Sequence, residues 1–506
     1  MWFYEEGEVE PVETQKESAG SPSSGLWLVS GPSDPAPMPM GTQVRANSAS
    51  VSQAAKRRKR GEGGENSLCP VTLNVSNKFA QAGENLTGKS ISIDGRVDIG
   101  EENVAFPDLR DIGGTSGNGT TATTSSDDGR STSTNDSITK VPVRLALVGA
   151  TGLVGRACAT YLAEHPESGY MVSHFIGSAL SKDRSLSEVA GEKEAKLRAH
   201  YGETFWDSTT DVSVDALREA TVCDVDALMS AGPECCDVVL SFLAPRFGHL
   251  EDNMIAAGFR LVSISPHHRM AHPLIVPVVN GNTNGNPLDF SSARCLKSPN
   301  CCSVGSSVAL LPLVDTFTVE EVFITTFQTL SGRGDALYPA EKVVANVYPI
   351  GATEERTEEY IAQEVARVYE KHPRATALSK KAMHVSAYRV FVQKNHLLDV
   401  RVRVAEALVS TSGSPETSKA MLASIYSQVK YAEDIAVMTE AGQPRPRSHN
   451  EPHKVTVGNF DVEAAPGGGS MIRVSAIVDN VAKGAWGNAL EITKRVVKAC
   501  ATNTKR

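Results

Sequence analysis

The stretch VRLALVGATGLVG, residues 143–155, decides the fold. Its first six residues are mostly aliphatic or β-branched, which is typical of a buried strand, and glycines follow in the spacing G-x-x-G-x-x-G. Apolar residues then recur at helical spacing, at Leu153, Val154, Cys158 and Leu162. A strand, a glycine-rich turn and a helix in this order predict the first unit of a dinucleotide-binding fold, in which amides at the helix start meet a pyrophosphate.

Further short strands are expected at MVSHFIGS (171–178), DVVLSFLAP (237–245) and RLVSIS (260–265), with helical segments between them. Alternating strands and helices predict a doubly wound parallel sheet. Beyond Ser298, long alternating stretches such as VEEVFITTFQTLSG and HLLDVRVRVAEAL predict antiparallel strands. We therefore expect an α/β protein with a Rossmann-like cofactor domain at 141–297, an α+β catalytic and dimerisation domain at 298–472, and a C-terminal helix at 473–506 that returns to the first domain.

The first 140 residues differ in composition from the rest of the chain. Segments such as PSDPAPMPM and GGTSGNGTTATTSSDDGRSTSTNDS are rich in Gly, Ser, Thr and Asp and lack apolar periodicity. Such segments cannot bury enough apolar surface to offset their conformational entropy. We predict a disordered extension at 1–140. Its basic run KRRKR, at 56–60, is either a nuclear-import or polyanion-binding patch or, more commonly for such a run, incidental.

Deleting residues 1–138 should leave folding and cofactor binding intact, because this region lacks the apolar content to join a core. Solubility and cofactor titration of the truncated protein test the expectation, and limited proteolysis should trim the same region first. An insoluble or inactive truncation would show that the extension belongs to the fold.

Composition also excludes several classes of protein. The 506 residues include 50 Lys and Arg against 59 Asp and Glu, a net charge of −9, which argues against a nucleic-acid partner. No apolar run is long enough to span a bilayer, so no membrane partner is expected. The nine cysteines are odd in number and spaced for neither a disulfide framework nor a metal site. The acidic start MWFYEEGEVE does not fit a targeting peptide, and we expect a reducing, cytoplasmic location.

The end of the second strand bears on which dinucleotide binds. An NAD enzyme tends to place Asp or Glu there, where it contacts the ribose hydroxyls. This sequence instead has GSALSKDRS, with a hydroxyl at Ser178 and cations at Lys182 and Arg184. The pattern favours a 2′-phosphate and hence NADP.

The stretch KSPNCCSVGSS, residues 297–307, contains a candidate nucleophile. Asn300 favours a turn, so Cys301 should lie at a helix start, where free amides and the helix dipole lower a thiol's pKa and can hold an oxyanion. A proton carrier and a substrate anchor are available in SAYRVFVQKNHLLDV, as His396 and Arg389. These two converge only if a turn or bulge falls within QKN, because seven residues along a strand place them on opposite faces. Otherwise Cys301 and Cys302 are merely two small buried side chains.

The motifs SPNC, GATGLVG, QTLSGRG, RVFVQKNH and KGAWGNALE together resemble those of the aspartate-semialdehyde dehydrogenase family, from about Val141 to Ala501. HRM followed by PLIVPVVN is similar to the archaeal and fungal branch. The resemblance implies an NADP-dependent enzyme of lysine, threonine and methionine biosynthesis. It would reduce β-aspartyl phosphate to aspartate semialdehyde and phosphate through a cysteine thioester, as a homodimer or homotetramer.

The same resemblance implies roles for individual residues. Cys301 would be the nucleophile and His396 the acid/base group. Three residues would bind substrate: Arg389 the α-carboxylate, Gln328 the acyl group and Arg269 the phosphate. The implied cofactor contacts are Thr151, Gly152, Leu153, Val154 and Asn488, and the pattern after the second strand adds Ser178.

The sequence departs from the family on the substrate-binding helix. Relatives have Glu with a nearby Lys, whereas ATEERTEEYIAQE (352–364) has no lysine and leaves Arg356 as the candidate substitute. Asn395 stands where relatives have glycine. Two alternatives therefore stay open: a reductase of another acyl phosphate or acyl thioester, of the N-acetyl-glutamyl-phosphate or malonyl-CoA type, and a non-catalytic NADP-binding paralogue. Retention of the implied catalytic and substrate-binding residues counts against the paralogue.

Overall fold

The computed structural model describes residues 142–202, 213–281, 289–334, 338–350, 356–375, 377–409, 415–438 and 443–503. The expected extension at 1–140 and its basic run lie outside the described residues. Within them, no helix is long and apolar enough to cross a membrane. The eight cysteines in the described ranges are all free thiols: Cys158, Cys223, Cys235, Cys236, Cys295, Cys301, Cys302 and Cys500.

A six-stranded parallel sheet forms the first domain. Its strands are β1 (Val143–Val148), β2 (Tyr170–Ile176), β3 (Val222–Cys223), β4 (Val238–Ser241), β5 (Leu261–Ser263) and β6 (Cys295–Lys297). They lie in the order β3-β2-β1-β4-β5-β6, and each neighbouring pair is parallel. This is the strand order of dinucleotide-binding sheets, so the doubly wound fold is confirmed.

Helices cover this sheet between its strands. They are α1 (Leu153–Glu164), α2 (Leu186–Tyr201), α3 (Val225–Ala231), α4 (Gly248–Ala256) and the short α5 (Pro277–Asn280). Helix α1 follows the glycine loop as predicted, and its Cys158 and Leu162 are buried in the core of the sheet. Burial raises the pKa of the Cys158 thiol well above its usual range, so this cysteine is an inert core residue.

A seven-stranded mixed sheet forms the second domain, in the order β11-β12-β13-β10-β7-β9-β8. Its strands are β7 (Val319–Gln328), β8 (Val347–Pro349), β9 (Met383–Val390), β10 (His396–Val404), β11 (Ile435–Val437), β12 (Val455–Ala464) and β13 (Ser470–Val478). As expected, β7 and β10 are antiparallel. Strands β7 and β9 are parallel instead, because the connection through α8 (Thr357–Tyr369) provides the long crossover that parallel neighbours require.

Helix α6 (Cys301–Thr316) packs between the second sheet and α8, and its residues from Cys302 to Val314 are all buried. A helix that is apolar on every side belongs inside a core. Gly305 lets α6 pack closely against β13 and β10. A Cβ at this position would lie only 2.7 Å from Val478 Cγ1 on β13 and 2.9 Å from Leu398 Cδ1 on β10. The first turn of α6 is therefore held firmly against the second sheet. Two smaller helices, α7 (Ala340–Val343) and α9 (Pro415–Tyr426), complete this domain.

The chain returns to the first domain after β13. A π-helical turn at Ala482–Trp486 leads into α10 (Gly487–Asn503), and Trp486 and Ile492 join the core of the parallel sheet. The domain boundary expected between 472 and 473 falls inside β13, whose pairing with β10 continues to Val478. The return therefore begins after Val478.

Candidate active site

Cys301 is the first residue of α6, as the Pro-Asn turn predicts. Asn300 is the N-cap, and its Oδ1 accepts a hydrogen bond of 2.9 Å from the Cys302 amide. Because this cap occupies the Cys302 amide, the Cys302 amide is not available to an oxyanion. The C-terminal KGAWGN segment packs directly against Cys301, because a Cβ at Gly484 would lie only 2.8 Å from Cys301 Cβ.

His396 begins β10 and places Nε2 3.1 Å from Cys301 Sγ. Strand β9 ends at Val390, so a turn at 391–395 separates the two strands and supplies the reversal that the sequence required. Asn395 adopts φ 71° in this turn. Asparagine is among the few residues that tolerate the left-handed region, so it fits a position at which the family resemblance implies glycine.

The two adjacent cysteines differ in ionisation. A hydrogen bond from Cys302, with the further influence of His396, holds the pKa of Cys301 well below the usual thiol value, against the opposing effect of burial. Burial and the neighbouring Cys301 sulfur raise the pKa of Cys302 well above it. These opposite shifts favour ionisation of the first cysteine and keep the second as a buried thiol that can donate to it.

On its other side, His396 contacts the segment after β7. The Thr329 amide lies 3.1 Å and Thr329 Oγ1 3.0 Å from His396 Nδ1. Thr329 Oγ1 also donates to Asn480 Oδ1 at 3.2 Å, and the Asn395 amide donates to the same oxygen at 3.0 Å. Asn480 Nδ2 in turn donates to Ser331 Oγ at 2.9 Å. The imidazole is thus held by a buried polar network.

Arg389 and Gln328 reach the site from neighbouring strands, since they are paired in the β7–β9 register. Arg389 is fully buried and donates from Nη1 to Thr329 O at 2.8 Å. Gly332 lies against the guanidinium of Arg389 and the imidazole of His396. A Cβ at this position would lie 3.1 Å from Arg389 Nη1 and 3.0 Å from His396 Cε1. Gln328 donates to Thr326 Oγ1 at 3.0 Å, while its buried Oε1 has no partner among the described residues.

Arg269 approaches the nucleophile through a carboxylate. Its Nη1 donates to Glu364 Oε1 at 2.7 Å, and Glu364 Oε2 accepts the Asn300 amide at 2.6 Å. Both side chains of the ion pair are almost completely buried. Glu364 therefore links the arginine to the cap of α6. Arg356, by contrast, is exposed at the start of α8 and pairs with Glu359, so the structure does not bring it to these groups.

The glycine loop has the geometry of a phosphate cradle. Gly149 adopts φ 82°, and a Cβ at Gly155 would lie 2.3 Å from Gly149 O. Gly152 caps α1 without a side-chain hydrogen bond. Arg156 Nη1 and Lys193 Nζ donate to the carbonyl of the intervening Thr151 at 2.7 and 2.6 Å. Two cations beside an uncapped helix start fit a pyrophosphate.

Two further predicted cofactor residues lie at separate positions around this loop. Ser178 is exposed immediately after β2. Asn488 on α10 is fully buried, donates from Nδ2 to Ile275 O at 3.0 Å and Ser298 Oγ at 2.8 Å, and has a buried Oδ1 without a partner among the described residues. Asn488 thus contacts Ser298, the residue directly before the Pro-Asn turn, and its unpartnered Oδ1 fits a ligand that offers an N–H donor.

Family models match both halves of the described chain. The NAD-binding domain of semialdehyde dehydrogenases matches residues 144–286, and their dimerisation domain matches 310–483. The chain belongs to the semialdehyde dehydrogenase family. This semialdehyde dehydrogenase is accordingly an oxidoreductase, and the resemblance stated from its motifs is confirmed.

Individual relatives are similar over most of the globular region. The aspartate-semialdehyde dehydrogenase of Methanothermobacter thermautotrophicus is 25% identical over 370 residues, which cover 69% of this chain and 97% of the relative. The malonyl CoA reductase (NADP) of Metallosphaera sedula is 25% identical over 297 residues, 55% of this chain and 76% of the relative. The crystal structure of Candida albicans aspartate-semialdehyde dehydrogenase with NADP superposes with a TM-score of 0.51 at 21% identity, over 71% of this chain and 99% of that one, which shows a shared fold.

Several residues that organise the site of this semialdehyde dehydrogenase were not singled out from sequence. They are the positioning residues Thr329, Ser331 and Asn480, the carboxylate Glu364, and the cations Arg156 and Lys193. Thr329 and Ser331 lie within the quoted QTLSGRG motif, and their hydroxyls directly after a strand were the available signal. The partners of Lys182 and Arg184 were also not foreseen: these cations pair with Asp224 and Glu192.

Proposed function

We propose that this semialdehyde dehydrogenase reduces β-aspartyl phosphate to aspartate semialdehyde and phosphate with NADPH. The observation that carries the proposal is the 3.1 Å contact between Cys301 Sγ and His396 Nε2 at the start of α6, with a lowered thiol pKa. The buried Arg389 supports it, because an α-carboxylate requires a cation. Gln328 Oε1, which has no partner among the residues that the structure describes, supports it as well, because an acyl substrate requires an orienting polar group.

In the proposed reaction the Cys301 thiolate attacks the acyl carbon, a C–S bond forms, and the C–O bond to phosphate breaks. Phosphate leaves past Arg269 and takes up a proton. The bound cofactor supplies the hydride that reduces the thioester. Breaking the C–S bond then releases the aldehyde and frees Cys301, with His396 acting as the acid/base group through Nε2, while Arg389 holds the α-carboxylate in a bidentate manner.

Residues of both domains would hold the dinucleotide. The loop residues Thr151, Gly152, Leu153 and Val154 would surround the pyrophosphate, with Arg156 and Lys193 supplying positive charge. Ser178 would face the adenosine ribose. Asn488 Oδ1 would accept a hydrogen bond from an amide of the cofactor.

We expect NADPH to bind at least about tenfold more tightly than NADH, because the end of β2 has a serine and no carboxylate. Lys182 and Arg184 form ion pairs at the surface, where solvent screens the attraction, so a 2′-phosphate can compete for them. Fluorescence titration with both cofactors measures the ratio. Lys182→Ala should weaken NADPH binding and leave NADH binding nearly unchanged. Equal affinities, or tighter NADH, would contradict the assignment.

We further propose that the enzyme is a cytoplasmic homodimer or a pair of dimers, without a nucleic-acid or membrane partner. The outward face of the second sheet carries the partly buried apolar side chains Phe323, Phe327, Tyr388 and Leu397, which a second copy would cover. The match to a dimerisation domain supports this assembly. Sedimentation equilibrium of the full chain tests it, and a monomer at micromolar concentration would contradict it.

A second candidate function is the reduction of another acyl phosphate or of an acyl thioester. It is favoured by the substrate helix, where Arg356 faces away, and by the malonyl CoA reductase among the relatives. An absorbance assay at the NADPH wavelength separates the candidates: aspartate semialdehyde with phosphate, N-acetylglutamate semialdehyde with phosphate, and malonyl-CoA in the reductive direction. Turnover of the first alone supports the primary proposal, and turnover of either other substrate alone replaces it.

A further inference from the structure

Three side chains of metal-binding type lie together on the first domain, and none of them takes part in the candidate active site. One ring nitrogen of His267, one of His268 and one carboxylate oxygen of Asp252 all lie within 4.8 Å of one another. His267 Nε2 is 2.8 Å from Asp252 Oδ2, and His268 Nε2 is 3.8 Å from the same oxygen. The three ligand atoms therefore converge on one point at the surface.

Helix α4 fixes the direction of the His267 ring. Gly248 and Asp252 are four residues apart on this helix and so lie on one face of it. A Cβ at Gly248 would overlap Cγ and Nδ1 of His267, so the imidazole packs directly against the helix where a side chain is missing. This packing closes the Nδ1 edge of the ring and leaves Nε2 facing Asp252.

His268 reaches the same carboxylate through an unusual backbone conformation. Successive side chains of an extended segment point to opposite sides, whereas the ring centroids of His267 and His268 lie only 3.9 Å apart. His268 has φ 48°, in the left-handed region, and this turn brings the two rings to one side. A non-glycine residue adopts this region at a cost in free energy, and such strained residues are concentrated at ligand-binding and catalytic sites.

The spacing of the ligand atoms matches a tetrahedral zinc site. Zinc bonds to histidine nitrogen and carboxylate oxygen are about 2.0–2.2 Å long, which places neighbouring ligand atoms about 3.3–3.6 Å apart. The separations of 2.8 and 3.8 Å lie on either side of this range, so small side-chain shifts complete the geometry. The Asp252 and His268 side chains are 47% and 57% exposed, which leaves room for a water molecule as the fourth ligand.

We propose that Asp252, His267 and His268 bind one Zn²⁺ ion, with water as the fourth ligand, and that the ion clamps the segment after β5 to α4. Two imidazoles and one carboxylate suit zinc, whereas Mg²⁺ and Ca²⁺ prefer oxygen ligands alone. The clamped segment continues into Arg269, which donates to Glu364 Oε1 at 2.7 Å. Zinc therefore also restrains the backbone beside this buried arginine. The inference does not depend on which acyl substrate the enzyme reduces.

Isothermal titration calorimetry of the full-length Cys301→Ser protein with Zn²⁺ tests the site. The Cys301 variant is used because Cys301, Cys302 and His396 form a second group that could bind the ion. We expect one equivalent of Zn²⁺ to bind with a Kd below about 50 µM, and Mg²⁺ to bind at least about tenfold more weakly. A higher Kd for Zn²⁺, or Mg²⁺ binding within tenfold of it, would overturn the inference.

His268→Gln and Asp252→Asn are the matched substitutions, because each retains a polar side chain of similar size and removes one strong ligand. Each should weaken Zn²⁺ binding at least about tenfold in the same background. The control is His174→Gln, which changes a histidine on β2 that contacts Ser173 Oγ at 3.0 Å and should leave the affinity unchanged. Equal Zn²⁺ affinities in His268→Gln and His174→Gln would contradict the proposed ligands.

X-ray absorption spectroscopy of the zinc-loaded protein identifies the ligands even if a variant does not fold. We expect two imidazole nitrogens and two oxygens around zinc, whereas a zinc–sulfur distance of about 2.3 Å would place the ion at cysteines and overturn the inference. Zn²⁺ at about ten times its Kd should also raise the unfolding temperature by about 2 °C, because the ion binds the folded state. His268→Gln should lose this increase, and an increase that persists in the variant would count against the clamp.

Discussion

Cys301→Ser should lower turnover by about 10⁴-fold or more, which is the scale of losing a nucleophile, while cofactor affinity stays nearly unchanged. The Cys301 pKa is held well below the usual thiol value by the hydrogen bond from Cys302 and by His396, which favours the reactive thiolate. A serine hydroxyl in the same place stays protonated and is a far weaker nucleophile. Steady-state kinetics measures the loss, and fluorescence titration with NADPH shows that the fold and the cofactor site persist.

Cys302→Ser is the matched control. It should keep most of the activity, because a serine hydroxyl can donate to the Cys301 thiolate in place of the buried thiol. Incubating the wild type with the semialdehyde and oxidised cofactor, without phosphate, should add an acyl mass to the peptide that contains both cysteines, and only Cys301→Ser should abolish this adduct. An active Cys301→Ser enzyme, or an adduct on Cys302, would show that Cys301 is not the nucleophile and would favour the interpretation of both cysteines as small buried side chains.

The parts of this site that could be predicted from sequence are those fixed by local geometry. The strand, glycine turn and helix of residues 143–164 are contiguous, so their order alone indicates the fold. The Pro-Asn turn likewise places Cys301 at the start of α6 through a cap only one residue away. Even the convergence of Arg389 and His396 depended on a single short turn between two recognisable strands.

What could not be predicted depends on contacts between distant segments. Thr329 lies 67 positions from His396, and Glu364 lies 95 from Arg269, so neither pairing follows from periodicity. The parallel pairing of β7 with β9 has the same origin, because an alternating strand has the same pattern whichever way its neighbour runs. The local sequence indicates which residues react, and the pairing of distant strands determines which of their atoms face each other.

One such long-range contact has a large expected effect on stability. Lys297 at the end of β6 pairs with Glu251 on α4 at 2.5 Å, and both side chains are 1% exposed. Glu251 Oε1 also accepts from Ser241 Oγ at 2.5 Å and Ser263 Oγ at 2.6 Å. The cluster thus joins α4 to the carboxyl ends of β4, β5 and β6, immediately before the turn that leads to Cys301.

Lys297→Met should lower the free energy of unfolding by about 3–5 kcal/mol, because it leaves a carboxylate buried without its counter-charge. The double variant Lys297→Met/Glu251→Gln should recover more than half of that loss, since the neutral amide can still bond the two serines and no unpaired charge remains. Urea unfolding of the three proteins measures the difference. The matched control is Lys419→Met, which breaks an exposed pair with Glu416 and should change stability by about 0.5 kcal/mol or less. Equal losses at Lys297 and Lys419, or a double variant no more stable than Lys297→Met, would show that the buried charge pair does not stabilise this corner of the sheet.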